Sequence, residues 1–244
     1  MIGSPRVRRL IRLVGVIAGV LMISVAVLGL AVSSPDQFQH DAVRMLYLHV
    51  PTVMSAYLAF VTVAIGSVAI VMRRGLIWDH LAGASAEVGV VMMGITLMTG
   101  MIWGRITWGV YWQWDARMTS TAIIFVTYVG YLAVRRLGGS PAQRASRSAV
   151  VGIVAVAEIP LVHWSVIMWR SLHQDPTVLT PTGDGQIDGS MLAILAVAVA
   201  AFVLTTVWLV AQRAITLALD DQIDQIRVDA AITARHAEGD RWWR

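Results

Sequence analysis

The sequence predicts an all-α integral membrane protein with six transmembrane helices. Only 14% of its 244 residues are charged, 57% are hydrophobic and the mean hydropathy is +0.68, whereas soluble domains carry about 25% charged residues. Six apolar stretches approach the roughly 20 residues that a helix needs to cross a bilayer. The arginines are concentrated in alternate connections, and this distribution predicts the orientation of the helices.

The six predicted spans follow one another with short polar or basic breaks between them. The first follows a basic segment, as the core of a signal peptide does. Its apolar run of about 20 residues exceeds the usual 7–15 of a signal peptide, so we interpret it as a retained anchor. The third is the shortest. The predicted spans are Arg12–Val32, Leu46–Met72, Val88–Met101, Thr119–Val134, Val150–Trp169 and Met191–Ala211.

The arginine distribution predicts that both termini are cytoplasmic. With the N-terminus inside, fifteen of the nineteen arginines lie on the inner side, as the positive-inside rule requires. Four lie outside: Arg44, Arg105, Arg117 and Arg170. Residues 1–212 then form the membrane domain and residues 213–244 a cytoplasmic tail. The tail has apolar residues at helical spacing, which predicts an amphipathic helix that lies at the surface or docks a cytoplasmic partner.

Composition excludes several classes of function. The chain has no cysteine, which excludes disulfides, thiol catalysis and cysteine-ligated clusters. Its net charge of +4 is too small to indicate a nucleic-acid partner. Any metal must therefore be held by His, Asp, Glu or Met.

Two histidines lie in or beside predicted spans at matching depth near the outer side. His49 is one turn into the second span, and His163 is six residues before the outer end of the fifth. Either could be a structural hydrogen-bonding residue, but ionisable groups inside a membrane are functional candidates. Two neutral imidazoles suit the axial positions of haem iron. Pro51 and Pro160 lie next to them and predict kinked helices that leave room for a bulky group.

Beside these histidines lies a tryptophan-rich outer connection between the third and fourth spans, WGRITWGVYWQWDARMTS, residues 103–120. Tryptophan also collects in ordinary interfacial belts, but six of the ten tryptophans fall on the outer side. Flat aromatic rings could stack on a porphyrin, and arginine could pair with its propionates. The candidate residues for this platform are Trp103, Trp108, Tyr111, Trp112, Trp114, Asp115 and Arg117.

Several polar residues have alternative interpretations. Asp115, with the hydroxyls that follow it, also resembles an N-terminal cap of the fourth span, and Arg117 could pair with Asp115. Glu158 could hydrogen-bond another helix or handle protons. His80 and His236 are expected to be solvated. His40 and His173, in outer loops, are weaker candidates for contact with a ligand.

These motifs resemble a known family. WG-x-x-W-x-W-D-x-R-x-T-S, together with LHVP around His49 and IPLVHWSV with LHQ around His163 and His173, is similar to the haem-handling proteins of cytochrome c biogenesis that share a tryptophan-rich signature. The size and six predicted spans suit a short member of that group. The resemblance covers residues 46–174, with Tyr111 where the family often has Trp. Glu158 and the tail have no counterpart in it.

The resemblance implies a haem carrier that performs no bond-making chemistry. It implies b-type haem with His49 and His163 as axial ligands, a tryptophan platform, and His173 among the cofactor-binding residues. Implied partners are a periplasmic haem chaperone, an ABC-type ATPase and permease, and a small single-helix subunit, in contact with membrane lipid and without nucleic acid. The implied location is a bacterial inner membrane, with the haem site on the periplasmic side.

Three other functions compete with this one. A b-type cytochrome, the membrane subunit of an oxidoreductase, would also hold haem between two histidines, but it would have no use for an exposed tryptophan loop. A haem lyase of the same wider group would be longer and have larger outer loops. A permease is disfavoured because the polar groups, Glu158 excepted, cluster outside and do not line a path.

Overall fold

A computed structural model describes residues 4–173 and 187–239 and confirms the all-α fold. Six of its helical segments are long and apolar enough to cross a membrane, as predicted. A π-helical turn, Leu28–Val32, extends the first helix, and a 3₁₀ turn, Asp41–Met45, precedes the second. The helices are α1 Pro5–Val27, α2 Leu46–Val71, α3 Ile77–Trp108, α4 Ala116–Arg135, α5 Pro141–Ala155, α6 Glu158–Met168 and α7 Gly189–Gly239.

The outermost helix of the bundle is α1, which packs against α7. It begins at a serine cap, where Ser4 accepts a hydrogen bond from the Val7 amide, and at a proline in its first turn, both typical of helix starts. Most of its large apolar side chains, Leu13, Val20 and Ile23 among them, are exposed. An apolar helix with this exposed face is what lipid contact requires.

The centre of the bundle is formed by α2 and α3, with α4 beside them. The rings of Phe60 in α2 and Tyr128 in α4 are stacked, with centroids 3.6 Å apart, and both are fully buried. Gly89 of α3 faces the Phe60 ring with no room for a side chain. Small residues let membrane helices approach closely, so Gly89 allows α2 and α3 to pack around this aromatic pair.

The third helix is longer than the sequence predicted. It begins at Ile77, eleven residues before the expected start, and includes Asp79, His80 and Glu87. The prediction stopped short because these polar side chains do not belong in lipid. In the structure each of them has a partner, which lets Asp79 and His80 lie buried in the bundle, whereas Glu87, paired with Arg213, is partly exposed.

An ion-pair network surrounds the start of α3. Asp79 is paired with Arg135 and, at 3.0 Å, with Arg144, whose guanidinium also contacts Asp221 at 2.8 Å. His80 contacts the same Asp221 carboxylate at 2.8 Å and is only 8% exposed. The prediction that His80 is solvated was therefore wrong. We call this region, where the basic connections also lie, the arginine end of the bundle.

The fifth span is divided into two helices. Helix α5 ends at Ala155, and α6 begins at Glu158. Pro160 explains the break, because a proline lacks an amide hydrogen and its ring clashes with the carbonyl four residues earlier, here that of Val156. The sequence predicted a kink near each proline; near Pro160 the helix is interrupted, whereas α2 runs through Pro51 without a break.

The last helix continues through the expected boundary between membrane domain and tail. Helix α7 is one unbroken helix from Gly189 to Gly239, so residue 212 lies inside it. Beyond that point Leu219, Ile223 and Ile226 are exposed, as is His236. Most of the predicted outer loop, residues 171–190, and the last five residues lie outside the described part of the chain.

Candidate haem-binding site

His49 lies in the first turn of α2 and faces α3. Its Nδ1 is hydrogen-bonded to the Thr99 hydroxyl at 3.0 Å. The Trp103 ring, one turn further along α3, meets the imidazole edge-on, with centroids 5.8 Å apart. Residues four apart share a helix face, so Thr99 and Trp103 both contact His49 from the same face of α3.

The tryptophan segment is helical over its first third. Trp103 and Trp108 belong to α3, although they were predicted to lie in the outer connection. The Trp103 indole donates a 2.7 Å hydrogen bond to the Gln39 side chain, which precedes α2. The indole N–H of Trp103 is therefore already hydrogen-bonded, and this bond joins the segment before α2 to α3.

The connection between α3 and α4 is short and carries several exposed rings. Gly109 ends α3 with φ of +79°, a left-handed conformation that glycine adopts without strain. Arg105 donates to the Gly109 carbonyl and lies over the Tyr111 ring, 5.6 Å from its centroid. Trp112 and Trp114 meet edge-on at 5.4 Å, and Trp114 is 79% exposed. The rings thus form an open surface on top of α3 and α4.

Asp115 joins two parts of the site. One carboxylate oxygen accepts from the Met118 amide at 2.8 Å and caps α4, as the sequence suggested. The other accepts from the Ser171 hydroxyl at 2.6 Å and from the Leu172 amide at 3.1 Å. Since both oxygens are occupied and the residue is 9% exposed, Asp115 holds the segment after α6 against the start of α4.

This tie places His173 beside the platform. The His173 amide donates to the Ser171 hydroxyl at 3.1 Å, and its ring lies edge-on to Trp108, with centroids 6.1 Å apart. His173 and Arg117 are also close enough to His49 to interact with it electrostatically. The structure therefore brings residues of α2, α3, α4 and the segment after α6 to one end of the bundle, which we call the tryptophan end.

Arg117 connects α4 to α6 at the same end. Its terminal nitrogen donates to the His163 carbonyl at 2.9 Å, and among the described residues it forms no ion pair with Asp115. The His163 side chain is partly buried; within residues 4–173 and 187–239 its ring makes no hydrogen bond or ring contact. His163 thus lies on α6, whose backbone accepts a hydrogen bond from Arg117, and His49 lies on α2, where its ring contacts α3.

The donor groups at the tryptophan end suit a porphyrin with acidic side groups. The Arg117 Nε and the Trp112 Nε1 are buried and have no partner among the described residues, and buried donors of this kind normally have one. In the described part of the chain, no three His, Asp or Glu side chains gather as they would around a free metal ion. Haem needs fewer protein ligands, because the macrocycle supplies four nitrogens and the protein only axial ones.

The remaining polar candidates have local partners. Glu158 accepts a 3.0 Å hydrogen bond from Thr127 of α4, which confirms the predicted contact with another helix, and its second oxygen is buried with no partner in the described residues. Arg44 donates to the Ser33 carbonyl at 3.1 Å. Neither residue contacts the aromatic platform through a bond described here.

Sequence reasoning missed three residues that shape this site: Thr99, Gln39 and Ser171. None of the three belongs to a recognisable motif. Gln39 accepts a hydrogen bond from Trp103 and Ser171 donates one to Asp115, and neither contact can be predicted from residue spacing. Thr99 could have been found, because Thr96 and Thr99 are hydroxyl residues three apart in an apolar span, where a polar side chain usually contacts a neighbouring helix.

Comparison with known proteins shows the family of the chain. The family model described as Heme exporter protein C matches residues 4–229 of the chain. The chain belongs to this family. The match includes every candidate residue of the tryptophan end and most of α7, so the relation extends well beyond the tryptophan motif.

Curated relatives give the same result. Heme exporter protein C of Bradyrhizobium diazoefficiens is 35% identical over 177 residues, covering 72% of this chain and 67% of the relative. That of Escherichia coli strain K12 is 31% identical over 209 residues, covering 81% and 79%. A ccmC-like mitochondrial protein of Marchantia polymorpha, named for cytochrome c biosynthesis, is 30% identical over 178 residues, covering 72% and 75%.

Proposed function

We propose that this protein binds haem at the periplasmic face of a bacterial inner membrane and delivers it to a periplasmic haem chaperone during the biogenesis of c-type cytochromes. The observation that carries the proposal is the meeting of His49, Arg117 and His173 with the tryptophan segment at one end of a six-span bundle. The names of the relatives, which attribute haem export and cytochrome c biosynthesis to those proteins, support it.

Each side chain of the proposed site contacts a different part of haem. His49 and His163 supply the axial nitrogens for the iron of haem b. Arg117 pairs with a propionate, because its unpartnered Nε is available for a carboxylate. Trp103 packs against His49, and His173 lies at the edge of the platform. The rings that would form the wall are Trp108, Tyr111, Trp112 and Trp114.

Asp115 has a positioning role in the proposal. Both of its oxygens are already engaged, so a second negative group such as a propionate would be repelled and not bound. Asp115 instead keeps the start of α4, with Arg117, next to the segment that carries His173. Its contribution to haem binding is therefore indirect.

The exposed rings favour a carrier over a b-type cytochrome. Trp114 is 79% exposed and Tyr111 56% exposed. Haem that serves electron transfer is retained by enclosing it, whereas cargo must leave along an open side. A platform at the end of the bundle, and not in its centre, gives a partner direct access.

The proposal assigns energy supply to partners. The chain carries out no bond-making step; it belongs to a complex with an ABC-type ATPase and permease and a small single-helix subunit, and ATP hydrolysis releases the loaded chaperone. The concentration of arginines at the other end of the bundle supports a cytoplasmic arginine end and a periplasmic tryptophan end.

The test is haem transfer between purified components. Haem-loaded protein is mixed with haem-free chaperone, with and without the ATPase complex and ATP, and the haem on each is measured after separation. We expect haem to move to the chaperone. Haem that binds but leaves under no nucleotide condition would contradict delivery and favour the b-type cytochrome.

A matched pair of variants tests the role of Arg117. Arg117→Met removes the guanidinium but keeps an apolar stem, and we expect weaker haem retention. Arg227→Met makes the same change at an exposed position near the other end of the chain and should retain haem as the unmodified protein does. Equal retention in both variants would remove Arg117 from the site.

A further inference from the structure

The hydrogen bond between His49 and Thr99 has a defined direction. The Thr99 hydroxyl lies 2.8 Å from the carbonyl of Ile95 and 3.1 Å from that of Thr96, one turn earlier in α3. A carbonyl only accepts, and a hydroxyl has a single hydrogen to donate. Two carbonyls of α3 lie within reach of that hydrogen, and this favours the Thr99 oxygen as the acceptor towards His49, at 3.0 Å.

The donor in that bond must then be the imidazole. A neutral histidine carries one ring hydrogen, and the contact with Thr99 places it on Nδ1. In that tautomer Nε2 has a free lone pair. Among the described residues, the hydrogen bond that His49 forms through its side chain is made at Nδ1, so Nε2 remains available.

The same helix contact fixes the orientation of the ring. Gly100 follows Thr99, and a β-carbon there would lie 3.0 Å from His49 Cε1, so the ring fits because this residue is glycine. The hydroxyls of Thr96 and Thr52, one turn after His49, lie 3.1 Å apart in a hydrogen bond, and both threonines are buried. The two helices are thus joined by hydroxyls directly below the imidazole, which limits its movement.

We propose that Thr99 is a positioning residue for haem binding: it holds His49 as the Nδ1-protonated tautomer and directs the Nε2 lone pair to the iron. A metal-bound histidine generally donates its other ring hydrogen to an acceptor, which sets its tautomer and raises its basicity. Here the acceptor is a hydroxyl on the neighbouring helix. The inference rests on the proposed function in one respect, namely that His49 is an axial ligand.

The first test uses the haem-free protein and does not depend on that ligand assignment. Protein with ¹³C,¹⁵N-labelled histidine is studied by NMR, and the His49 signal is assigned by its loss in His49→Ala. We expect the Nδ1-protonated tautomer in the unmodified protein and in Thr99→Ser, which keeps the acceptor. Thr99→Val keeps the shape but not the acceptor, and should give a mixture of tautomers. An unchanged tautomer in Thr99→Val would overturn the inference.

The second test measures haem affinity and the absorption spectrum. Loss of such a supporting hydrogen bond typically lowers metal affinity 10–100-fold, so we expect a decrease of about this size in Thr99→Val, with weaker six-coordinate features, and recovery in Thr99→Ser. Thr62→Val is the control, because Thr62 also donates to the carbonyl four residues earlier but on an exposed face of α2. Equal affinity in Thr99→Val and Thr62→Val would contradict the role of Thr99.

His49→Ala separates the two proposals. Loss of iron ligation in His49→Ala together with an unaffected Thr99→Val would leave the ligand in place and refute the positioning role. Unchanged ligation in His49→Ala would refute the ligand assignment, and the NMR result would still decide which tautomer Thr99 selects. Thr99→Ala replaces Thr99→Val in both tests if the valine variant does not fold.

Discussion

Replacing Asp115 with serine should release the segment after α6 while leaving α4 capped. Serine is a good N-cap residue and can still accept from the Met118 amide. It has no second oxygen for the Ser171 hydroxyl and the Leu172 amide, which now lie 2.6 and 3.1 Å from the carboxylate. Each hydrogen bond to a charged acceptor contributes about 1.5 kcal/mol or more. The docked segment therefore loses about 3 kcal/mol, which is roughly a 150-fold change in its equilibrium.

Hydrogen–deuterium exchange measures this change directly, because local opening sets the rate at which a protected amide exchanges. In Asp115→Ser we expect the Leu172 amide to exchange about 100-fold faster, with the Met118 amide unchanged. Asp115→Ala should accelerate both, because alanine cannot cap the helix. Asp36→Ser is the control: Asp36 also accepts from two amides, at 2.8 Å each, but in the loop before α2. Unchanged Leu172 exchange in Asp115→Ser would refute the tie between α4 and the segment after α6.

Two further predictions concern the packing of the bundle. Gly89→Val should lower the thermal unfolding midpoint of the protein in detergent, because the new side chain meets the Phe60 ring. Gly130→Val is the control and should leave the midpoint unchanged, because a β-carbon there has open space. Equal midpoints for the two variants would refute the close packing of α2 and α3. Asp79→Asn should destabilise the protein by about 3–5 kcal/mol, since it leaves the buried guanidinium of Arg135 without its carboxylate. Asp224→Asn, in an exposed pair, is its control, and similar denaturant midpoints for the two would show that the network at the arginine end is not buried as described.

The sequence was sufficient to predict the number of spans because lipid imposes a length and a composition on each helix. It failed at the start of α3 for the same physical reason. Charged residues normally end a span, but Asp79 is paired with Arg135 and Arg144, and His80 is hydrogen-bonded to Asp221, all from distant parts of the chain. Such tertiary pairing is invisible to any local measure of hydropathy.

The candidate site was also predicted in part. The tryptophan motif and the depth of His49 indicated which end of the bundle to consider, and the cap at Asp115 follows from residue type and position. The second role of Asp115 and the contact of Thr99 with His49 depend on how helices pack. The helical state of Trp103 and Trp108 was missed because tryptophan collects at the membrane interface, where a span and its connection meet, and residue type alone does not say on which side of that boundary it lies.

The absorption spectra of the haem-loaded variants His49→Ala and His163→Ala test most directly whether these two histidines ligate the haem iron. Two histidine ligands give six-coordinate haem, and each substitution should leave a site that is five-coordinate or takes an external ligand. His236→Ala, at an exposed position on α7, should keep the original spectrum and haem content. Unchanged spectra and haem content in both His49→Ala and His163→Ala would show that neither histidine ligates the haem iron.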